Sequence, residues 1–489
     1  MPKATTPKLA MIGFDAADLG YIKSALPSLP NFRRALESGV VRTVRSSADL
    51  LPGSVWPSFF TAKTPGEHGI YHIVQWDPDT MRIRRVTMDP IRHEPFWRKL
   101  DRRGLKVIAI DVPLAVAGKT GHGIEISSWG AHDNFGPATS FPEGFVTEIL
   151  RDYGEHPMGL EIPVDTTLRQ RMKVREKLIM GARMKSQIMC KLLTSHEWDL
   201  FIAVFGEAHR GGHILWPDGK TPARALLDVY RALDTALGEI LAAIDLDRTT
   251  VMLFSLHGMT DNSSQDHFVA PLMDHINARF AELEPSLYPQ GRPPRQRSLM
   301  RVLRKRLPPS LQTMIANMVP QGVRDAVIDR AATAGLDWKH TPGLALRADN
   351  SSYLRFNLRG REREGVLEPG SAALARYEQL IRDSFASLRN LDGSLLVQDV
   401  SSRADHFHGD AAGNLPDLII RWAPVPPATR IDSCFGPVGG ELGTGRGGNH
   451  NAEGFLITLE PDGSRGAVAD PIEIEQFGPL AMRMHFNHG

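Results

Sequence analysis

The stretch that decides the fold is Val251-Met252-Leu253-Phe254-Ser255-Leu256-His257-Gly258-Met259-Thr260-Asp261. Its continuous apolar run, Val251 to Phe254, ends in a polar turn that carries His257. An unbroken apolar run of this length is typical of a strand covered on both faces, as in a parallel sheet flanked by helices. Active sites in such sheets form at the carboxyl ends of the strands. We therefore expect His257 at the functional edge of an α/β fold.

The same pattern of short apolar runs and longer amphipathic segments recurs along the chain. We expect strands at Leu9–Phe14, Val107–Val112 and Leu200–Phe205, and further strands at Ser352–Leu358 and Leu415–Trp422. We expect helices at Pro30–Ser38, Glu94–Arg103, Thr166–Leu193 and Arg224–Ile244. Strands that alternate with helices predict a doubly wound, mostly parallel sheet flanked by helices.

A change in composition divides the chain into three segments. Residues 1–280 are predicted to form the α/β core, and residues 341–489 its remainder. Between them, residues 281–340 contain several prolines and a basic run, Arg292 to Arg306, with seven Lys/Arg and no acidic residue. Such a run is either a membrane-surface or anionic-substrate patch or, more commonly, a solvated helix. We expect 281–340 to be an inserted helical lid.

The bulk composition excludes several classes of protein. The 489 residues carry 57 basic and 56 acidic side chains, so bulk charge implies neither a nucleic-acid nor a membrane partner. The two cysteines, Cys190 and Cys434, are too few for a disulfide framework. No segment has the composition of a signal peptide or a membrane span, so we expect a cytoplasmic protein. The sequence leaves homo-oligomerisation open.

Histidine and aspartate side chains follow the predicted strands. Asp15 directly follows the first strand, where it suits either a metal ion or the cap of a turn. His209 and His213 are four residues apart after Leu200–Phe205, a spacing that indicates metal binding. His450 lies in Gly447-Gly448-Asn449-His450, just before an apolar run at Phe455–Ile457. Asp15, His209 and His213 are therefore candidate metal ligands at one edge of the sheet.

A candidate nucleophile lies in Leu51-Pro52-Gly53-Ser54-Val55-Trp56-Pro57-Ser58. Pro52 and Gly53 turn the chain into Ser54, and Val55-Trp56-Pro57 begins a predicted helix. Free backbone N–H groups at a helix N-terminus favour a bound phosphate and an attacking oxyanion. Ser54 is therefore our candidate nucleophile, with Ser58 as the second choice and a purely structural helix cap as the alternative.

Taken together, these motifs resemble the alkaline phosphatase superfamily, in its type I phosphodiesterase/nucleotide pyrophosphatase branch. Ser255-Leu256-His257-Gly258-Met259 is similar to the Ser-Asp-His-Gly-Met motif of that branch, and Thr64-Pro65-Gly66-Glu67-His68-Gly69-Ile70 to the segment after its nucleophile. The resemblance implies an alkaline phosphatase-like fold. It also implies a metal set of Asp15, Ser54, His209, His213, His257 and His450, with Ser54 as the nucleophile. Arg210, next to His209, either faces a phosphate oxygen or is solvated. The implied metal is zinc, as one or two ions, with manganese as an alternative.

The chain departs from the ligand set of this branch in two places. Where the family has aspartates, this chain has His209 and Leu256, so only Asp15 remains of three carboxylates. Two dications would leave such a site at a charge of about +2, and uncompensated buried charge is costly. Three solutions are open: a single ion held by His209, His213 and His450, which we favour; two ions with an anionic substrate; or a substitute carboxylate from Asp261 or Glu207. With a single ion, His257 becomes a candidate general base.

The sequence therefore predicts a metal-dependent hydrolase of phosphate esters, either a phosphodiesterase or a phosphonate-type ester hydrolase, acting on a small molecule. A sulfatase is disfavoured because Ser54-Val55-Trp56-Pro57-Ser58 lacks the spacing and the arginine of a sulfatase motif. Two alternatives remain. The protein binds an anion or a metal without hydrolysis, or the altered site performs another metal-dependent reaction on the same fold.

Overall fold

The computed structural model describes most of the chain. The described residues are 8–88, 92–132, 136–159, 167–288, 336–442, 445–461 and 469–486, apart from 218, 220, 347 and 349, with a few positions between 322 and 333. The basic run at 292–306, and most of the predicted lid at 281–340, lie outside them. In the described part of the chain, no helix combines the length and the apolar character needed to cross a membrane. Both cysteines are free thiols.

The described chain contains 19 strands and 12 α-helices. The strands are β1 Lys8–Phe14, β2 Val40–Arg45, β3 Val74–Asp77, β4 Arg82–Arg85, β5 Val107–Ile110, β6 Ile124–Ser127, β7 Thr139–Phe141, β8 Leu200–Phe205, β9 Thr249–Ser255, β10 Gly258–Asp261, β11 Gly343–Leu346, β12 Ser352–Phe356, β13 Val397–Ser402, β14 Leu418–Trp422, β15 Arg430–Ser433, β16 Gly436–Gly439, β17 Gly448–Asn451, β18 Glu453–Leu459 and β19 Ile472–Glu473. The helices are α1 Leu19–Ser24, α2 Pro30–Ser38, α3 Val55–Thr61, α4 Pro65–His68, α5 Phe96–Asp101, α6 Gly144–Tyr153, α7 Leu168–Ser195, α8 Glu207–Leu215, α9 Arg224–Ala242, α10 Val269–Leu283, α11 Ala372–Ala386 and α12 Phe477–Phe486.

A nine-stranded sheet organises the molecule, in the order β19-β2-β18-β9-β1-β8-β5-β6-β7. Its centre, from β9 to β6, is parallel throughout, whereas β18 and β7 pair antiparallel with their neighbours. The carboxyl ends of β9, β1, β8 and β6 therefore lie along one edge. The predicted doubly wound, mostly parallel sheet is confirmed.

Both faces of this sheet are covered, which explains the unbroken apolar runs in the sequence. Successive residues of β1 alternate between the two faces: Ala10, Ile12 and Phe14 pack in one apolar cluster, Leu9 and Met11 in the other. Helices α2, α7 and α9 cover the first face, and α3, α5 and α12 cover the second. The predicted helices at 30–38, 94–103, 166–193 and 224–244 are present within a few residues of the expected bounds.

A second, four-stranded antiparallel sheet lies in the later part of the chain. Its order is β11-β12-β14-β13, and it shares an apolar cluster with α10 and α11. β12 and β14 confirm two predicted strands. The sequence did not indicate that they form a sheet of their own, because their apolar runs resemble those of the central sheet.

Candidate metal centre

The carboxyl edge of the central sheet brings together five of the six predicted metal ligands, and Ser54 is in neither ligand group. Asp15 directly follows β1, and His257 follows β9. His209 and His213 lie on α8, directly after β8, and their spacing of four places them on one face of the helix. His450 comes from β17, which pairs antiparallel with β10 so that His450 lies opposite Met259. All five side chains are buried.

Three histidines form the first group of candidate ligands. One ring nitrogen each of His209, His213 and His450 lies within 4.8 Å of the others. The Nε2 atoms of His209 and His213 are 3.1 Å apart. Nδ1 of His213 lies 3.0 Å from the carbonyl oxygen of Gly448. Because a carbonyl only accepts, this Nδ1 carries the ring proton, and Nε2 of His213 presents a lone pair to the group.

A second group is formed by Asp15, His209 and His257, again with ligand atoms within 4.8 Å of one another. Oδ2 of Asp15 lies 2.9 Å from Nδ1 of His209, and Oδ1 lies 3.5 Å from Nε2 of His257. His209 belongs to both groups, and its Nε2 faces His213 whereas its Nδ1 faces Asp15. The two groups form one continuous cluster.

His132 also lies at this cluster, although the sequence analysis did not identify it. Its Nδ1 is 2.8 Å from Oδ2 of Asp15, and its ring stacks on His209 with a centroid distance of 3.9 Å. His132 follows β6, Ile124–Ser127, after the turn Ser128-Trp129-Gly130-Ala131. β6 is not among the strands expected from the sequence, and no motif marks His132, so the sequence offered no signal for it.

Burial and mutual repulsion keep the rings of His209 and His450 neutral. Burial raises the pKa of Asp15, but the adjacent His132 and His209 outweigh it and hold that pKa well below its usual value. Burial, with repulsion from His132, lowers the pKa of His209 to about 4, although Asp15 opposes the shift. Burial and the neighbouring rings hold the pKa of His450 well below its usual value. Neutral imidazoles and an ionised carboxylate are the forms that bind metal ions.

Several buried atoms of the cluster lack hydrogen-bond partners, which fits a metal site. Both ring nitrogens of His450, Nδ1 of His209 and Oδ2 of Asp15 make no hydrogen bond of acceptable geometry. Buried polar atoms are rarely left unsatisfied unless an ion or a catalytic role accounts for them. The donor set is mainly imidazole nitrogen, which suits zinc better than manganese, since manganese prefers oxygen ligands.

The helix that begins after Ser54 lies beside this cluster. Nε1 of Trp56, in the first turn of α3, donates a 2.9 Å hydrogen bond to Oδ1 of Asp15. Ser54 is at the N-cap position of α3, but its hydroxyl makes no capping bond; it donates to the carbonyl oxygen of Leu51 at 2.6 Å. Ser47 Oγ lies 2.7 Å from Ser54 Oγ.

Ser58, the second candidate nucleophile, has a different environment. Its Oγ lies 3.1 Å from Nε2 of His68. Nδ1 of His68 accepts from the backbone N–H of Ile70, so Nε2 carries the ring proton and donates to Ser58. Burial lowers the pKa of His68 to about 3. His68 thus stabilises the turn after α3, and we assign it a structural role.

Arg210 and Glu207 are held by hydrogen bonds to residues outside the two ligand groups. Arg210 is 2% exposed, and its Nη2 donates to the carbonyl oxygen of Ala131 at 2.9 Å, next to His132. Glu207 accepts from His156 at 3.0 Å, and Asp261 accepts from Trp216 at 2.8 Å. Neither carboxylate belongs to the two ligand groups. Among the described residues, therefore, no second carboxylate replaces the missing ones.

Leu256, at a position where the family has a metal-binding aspartate, packs in the core. Its side chain is fully buried in the apolar cluster on the α3 face of the sheet, together with Val55 and Phe254. This position supplies packing to the core and no ligand to the cluster.

The central parallel sheet collects a carboxylate and several histidines at its carboxyl edge, beside the start of a helix. This combination of fold and site is that of a hydrolase of the alkaline phosphatase type. Comparison with known families agrees: residues 9–372 match the model of the type I phosphodiesterase/nucleotide pyrophosphatase family, so the chain belongs to that family. Membership places it among the phosphoric ester hydrolases. Among curated proteins, none matches the chain.

Solved structures share the fold at low sequence identity. Phosphonoacetate hydrolase from Sinorhizobium meliloti 1021, in complex with phosphonoacetate, is 13% identical with a TM-score of 0.52, over 98% of this chain and 96% of that one. Murine ectonucleotide pyrophosphatase/phosphodiesterase 5, an inactive variant in complex with AMP, is 12% identical with a TM-score of 0.51, over 98% and 94%. These similarities establish the fold.

Proposed function

We propose that this protein is a zinc-dependent hydrolase of phosphodiesters or phosphonate-type esters, with Ser54 as its nucleophile. The observation that carries the proposal is the convergence of Asp15, His209, His213, His257 and His450 beside the first turn of α3, in a chain of the phosphodiesterase family. Of the solved relatives, one was crystallised with phosphonoacetate and another with AMP.

In this proposal, the two ligand groups hold the zinc. His209, His213 and His450 form one position; Asp15 and His257, with His209, form the other. A bound divalent ion supplies positive charge that stabilises the charge developing on the phosphoryl oxygens. If only the three-histidine position is filled, His257 serves as the proton acceptor; if both are filled, it is a ligand.

Ser54 is the preferred nucleophile for two reasons. Its hydroxyl is not used as a helix cap, and Trp56 ties its helix to Asp15 at the metal cluster. Attack by Oγ on phosphorus would form an Oγ–phosphorus bond and break the ester bond, and water would then hydrolyse the phospho-serine. Ser58 is a poorer candidate because its hydroxyl accepts a hydrogen bond from His68. Arg210 is assigned to positioning, since its guanidinium contacts the backbone of Ala131.

The test is turnover of an aryl phosphodiester and an aryl phosphonate ester by protein loaded with Zn²⁺. We expect turnover that is lost on chelation and restored by Zn²⁺. Ser54→Ala should reduce kcat by at least about 1,000-fold, because removal of a nucleophile leaves only binding and electrostatic catalysis. Ser58→Ala is the matched control and should retain activity. Zinc-loaded protein that turns over neither ester would instead support the non-hydrolytic binding protein.

A further inference from the structure

His209 faces two different groups with its two ring nitrogens. Its Nε2 lies 3.1 Å from Nε2 of His213, and its Nδ1 lies 2.9 Å from Oδ2 of Asp15. It is the residue common to the two ligand groups. The imidazole of His209 therefore faces both the three-histidine position and the position of Asp15 and His257, and the rings of His257 and His450 also adjoin, with centroids 4.6 Å apart.

A neutral His209 satisfies only one of these neighbours by hydrogen bonding. Nε2 of His213 is an acceptor, because its Nδ1 proton is directed at the carbonyl oxygen of Gly448. The carboxylate of Asp15 is an acceptor as well. A neutral imidazole has one N–H, so one of the two short contacts brings together two acceptors. A divalent cation between the two atoms makes such a contact favourable, because both atoms then act as its ligands.

The geometry on the Nδ1 side indicates an ion there too. The contact between Nδ1 of His209 and Oδ2 of Asp15 is short, yet neither atom makes a hydrogen bond of acceptable angle. A bound ion commonly accounts for buried polar atoms that lack such bonds. Nδ1 of His132, 2.8 Å from Oδ2 of Asp15, adds a further donor on this side.

We propose that His209 bridges two metal ions, binding one through Nε2 with His213 and His450, and the other through Nδ1 with Asp15 and His257. This inference rests on the proposed function only in taking the cluster to bind divalent metal. When both nitrogens bind metal, the ring proton leaves to solvent and the imidazole becomes an anion. That negative charge offsets part of the charge deficit created by the loss of two carboxylates.

The first experiment measures zinc per chain by elemental analysis, after saturation with Zn²⁺ and removal of loosely held metal. We expect two zinc ions in the wild type, one in His213→Ala, one in His257→Ala, and none in His209→Gln. His209→Gln is close in size to the native residue, and circular dichroism checks that it is folded. One zinc in His209→Gln, or one in the wild type, would overturn the bridge.

A second measurement needs no variant of His209. With Cu²⁺ in place of zinc, two ions joined through one ring have coupled spins, so the EPR intensity per copper falls well below that of His213→Ala, which holds one ion. Full intensity from two coppers in the wild type would overturn the bridge. Both measurements are made without substrate. Absence of ester turnover would therefore contradict the proposed hydrolase and leave the bridge standing.

Discussion

Trp56 joins the candidate nucleophile helix to the metal cluster through one hydrogen bond, 2.9 Å from its Nε1 to Oδ1 of Asp15. Both residues are buried, Trp56 at 4% exposure and Asp15 at 0%. Trp56 also packs in the apolar cluster on that face of the sheet. The same side chain therefore fixes α3 against the core and directs the carboxylate of Asp15.

Trp56→Phe should lower both kcat and the free energy of unfolding. The change keeps most of the packing but leaves Asp15 without this donor, which costs about 1–3 kcal/mol for a buried acceptor. We expect kcat to fall about tenfold or more, because a charge-assisted bond that holds catalytic geometry is lost. Steady-state kinetics and urea denaturation measure the two effects.

Trp97→Phe is the matched control for this prediction. Trp97 is also buried and donates to a carboxylate, Oε1 of Glu125 at 3.0 Å, but Glu125 belongs to neither ligand group. The Trp97→Phe variant should lose about as much stability as Trp56→Phe does, and it should retain the wild-type kcat. Equal losses of kcat in the two variants would show that Trp56 acts only through stability.

Arg210→Leu should reduce stability and kcat while leaving KM within about twofold. The guanidinium lies 3.5 Å from Nδ1 of His156, and His156 in turn contacts Glu207. Removal of one partner from a buried charged network costs about 3–5 kcal/mol. The lost bond to Ala131 should also displace His132. A large rise in KM with unchanged stability would instead support the direct contact with phosphate predicted from the sequence.

Leu256→Asp should destabilise the protein without increasing its zinc content. The family-like carboxylate would enter an apolar cluster where Leu256 is 0% exposed. Burial of an unpaired carboxylate costs several kcal/mol, or the group takes up a proton. Leu256→Met is the control, since a volume-conserving change usually costs less than 1.5 kcal/mol. A third zinc ion bound by the Asp variant would contradict this view of the position.

The sequence predicted the central sheet well because its signals are local. Apolar runs locate β1, β8 and β9, and the residues that follow them are Asp15, His209 and His257. Contacts between distant segments were harder to predict. His132 lacks a sequence motif, so only the packing of β6 against β5 brings it to Asp15. The orientation of Leu256 depends on α3, and the separate sheet of β11 to β14 depends on antiparallel pairing, which apolar runs do not encode.

The stability of the metal-free protein should fall as pH decreases from about 6.5 towards 4. Histidine in the unfolded chain has its usual pKa of 6.5, whereas that of His209 is lowered to about 4 and that of His450 is also lowered. Across this window the unfolded state binds more protons, so the free energy of unfolding decreases with falling pH, by about 1.4 kcal/mol per pH unit for each such histidine. Above pH 6.5 these groups are neutral in both states and contribute no slope to the dependence of stability on pH.

Urea denaturation of chelated protein between pH 7.5 and 4.5 measures this dependence. His450→Gln should make the slope shallower by one proton. With zinc bound the slope should be steeper, because protons then also compete with the metal for the rings. An identical slope in wild type and His450→Gln would refute the assignment of a neutral, buried His450.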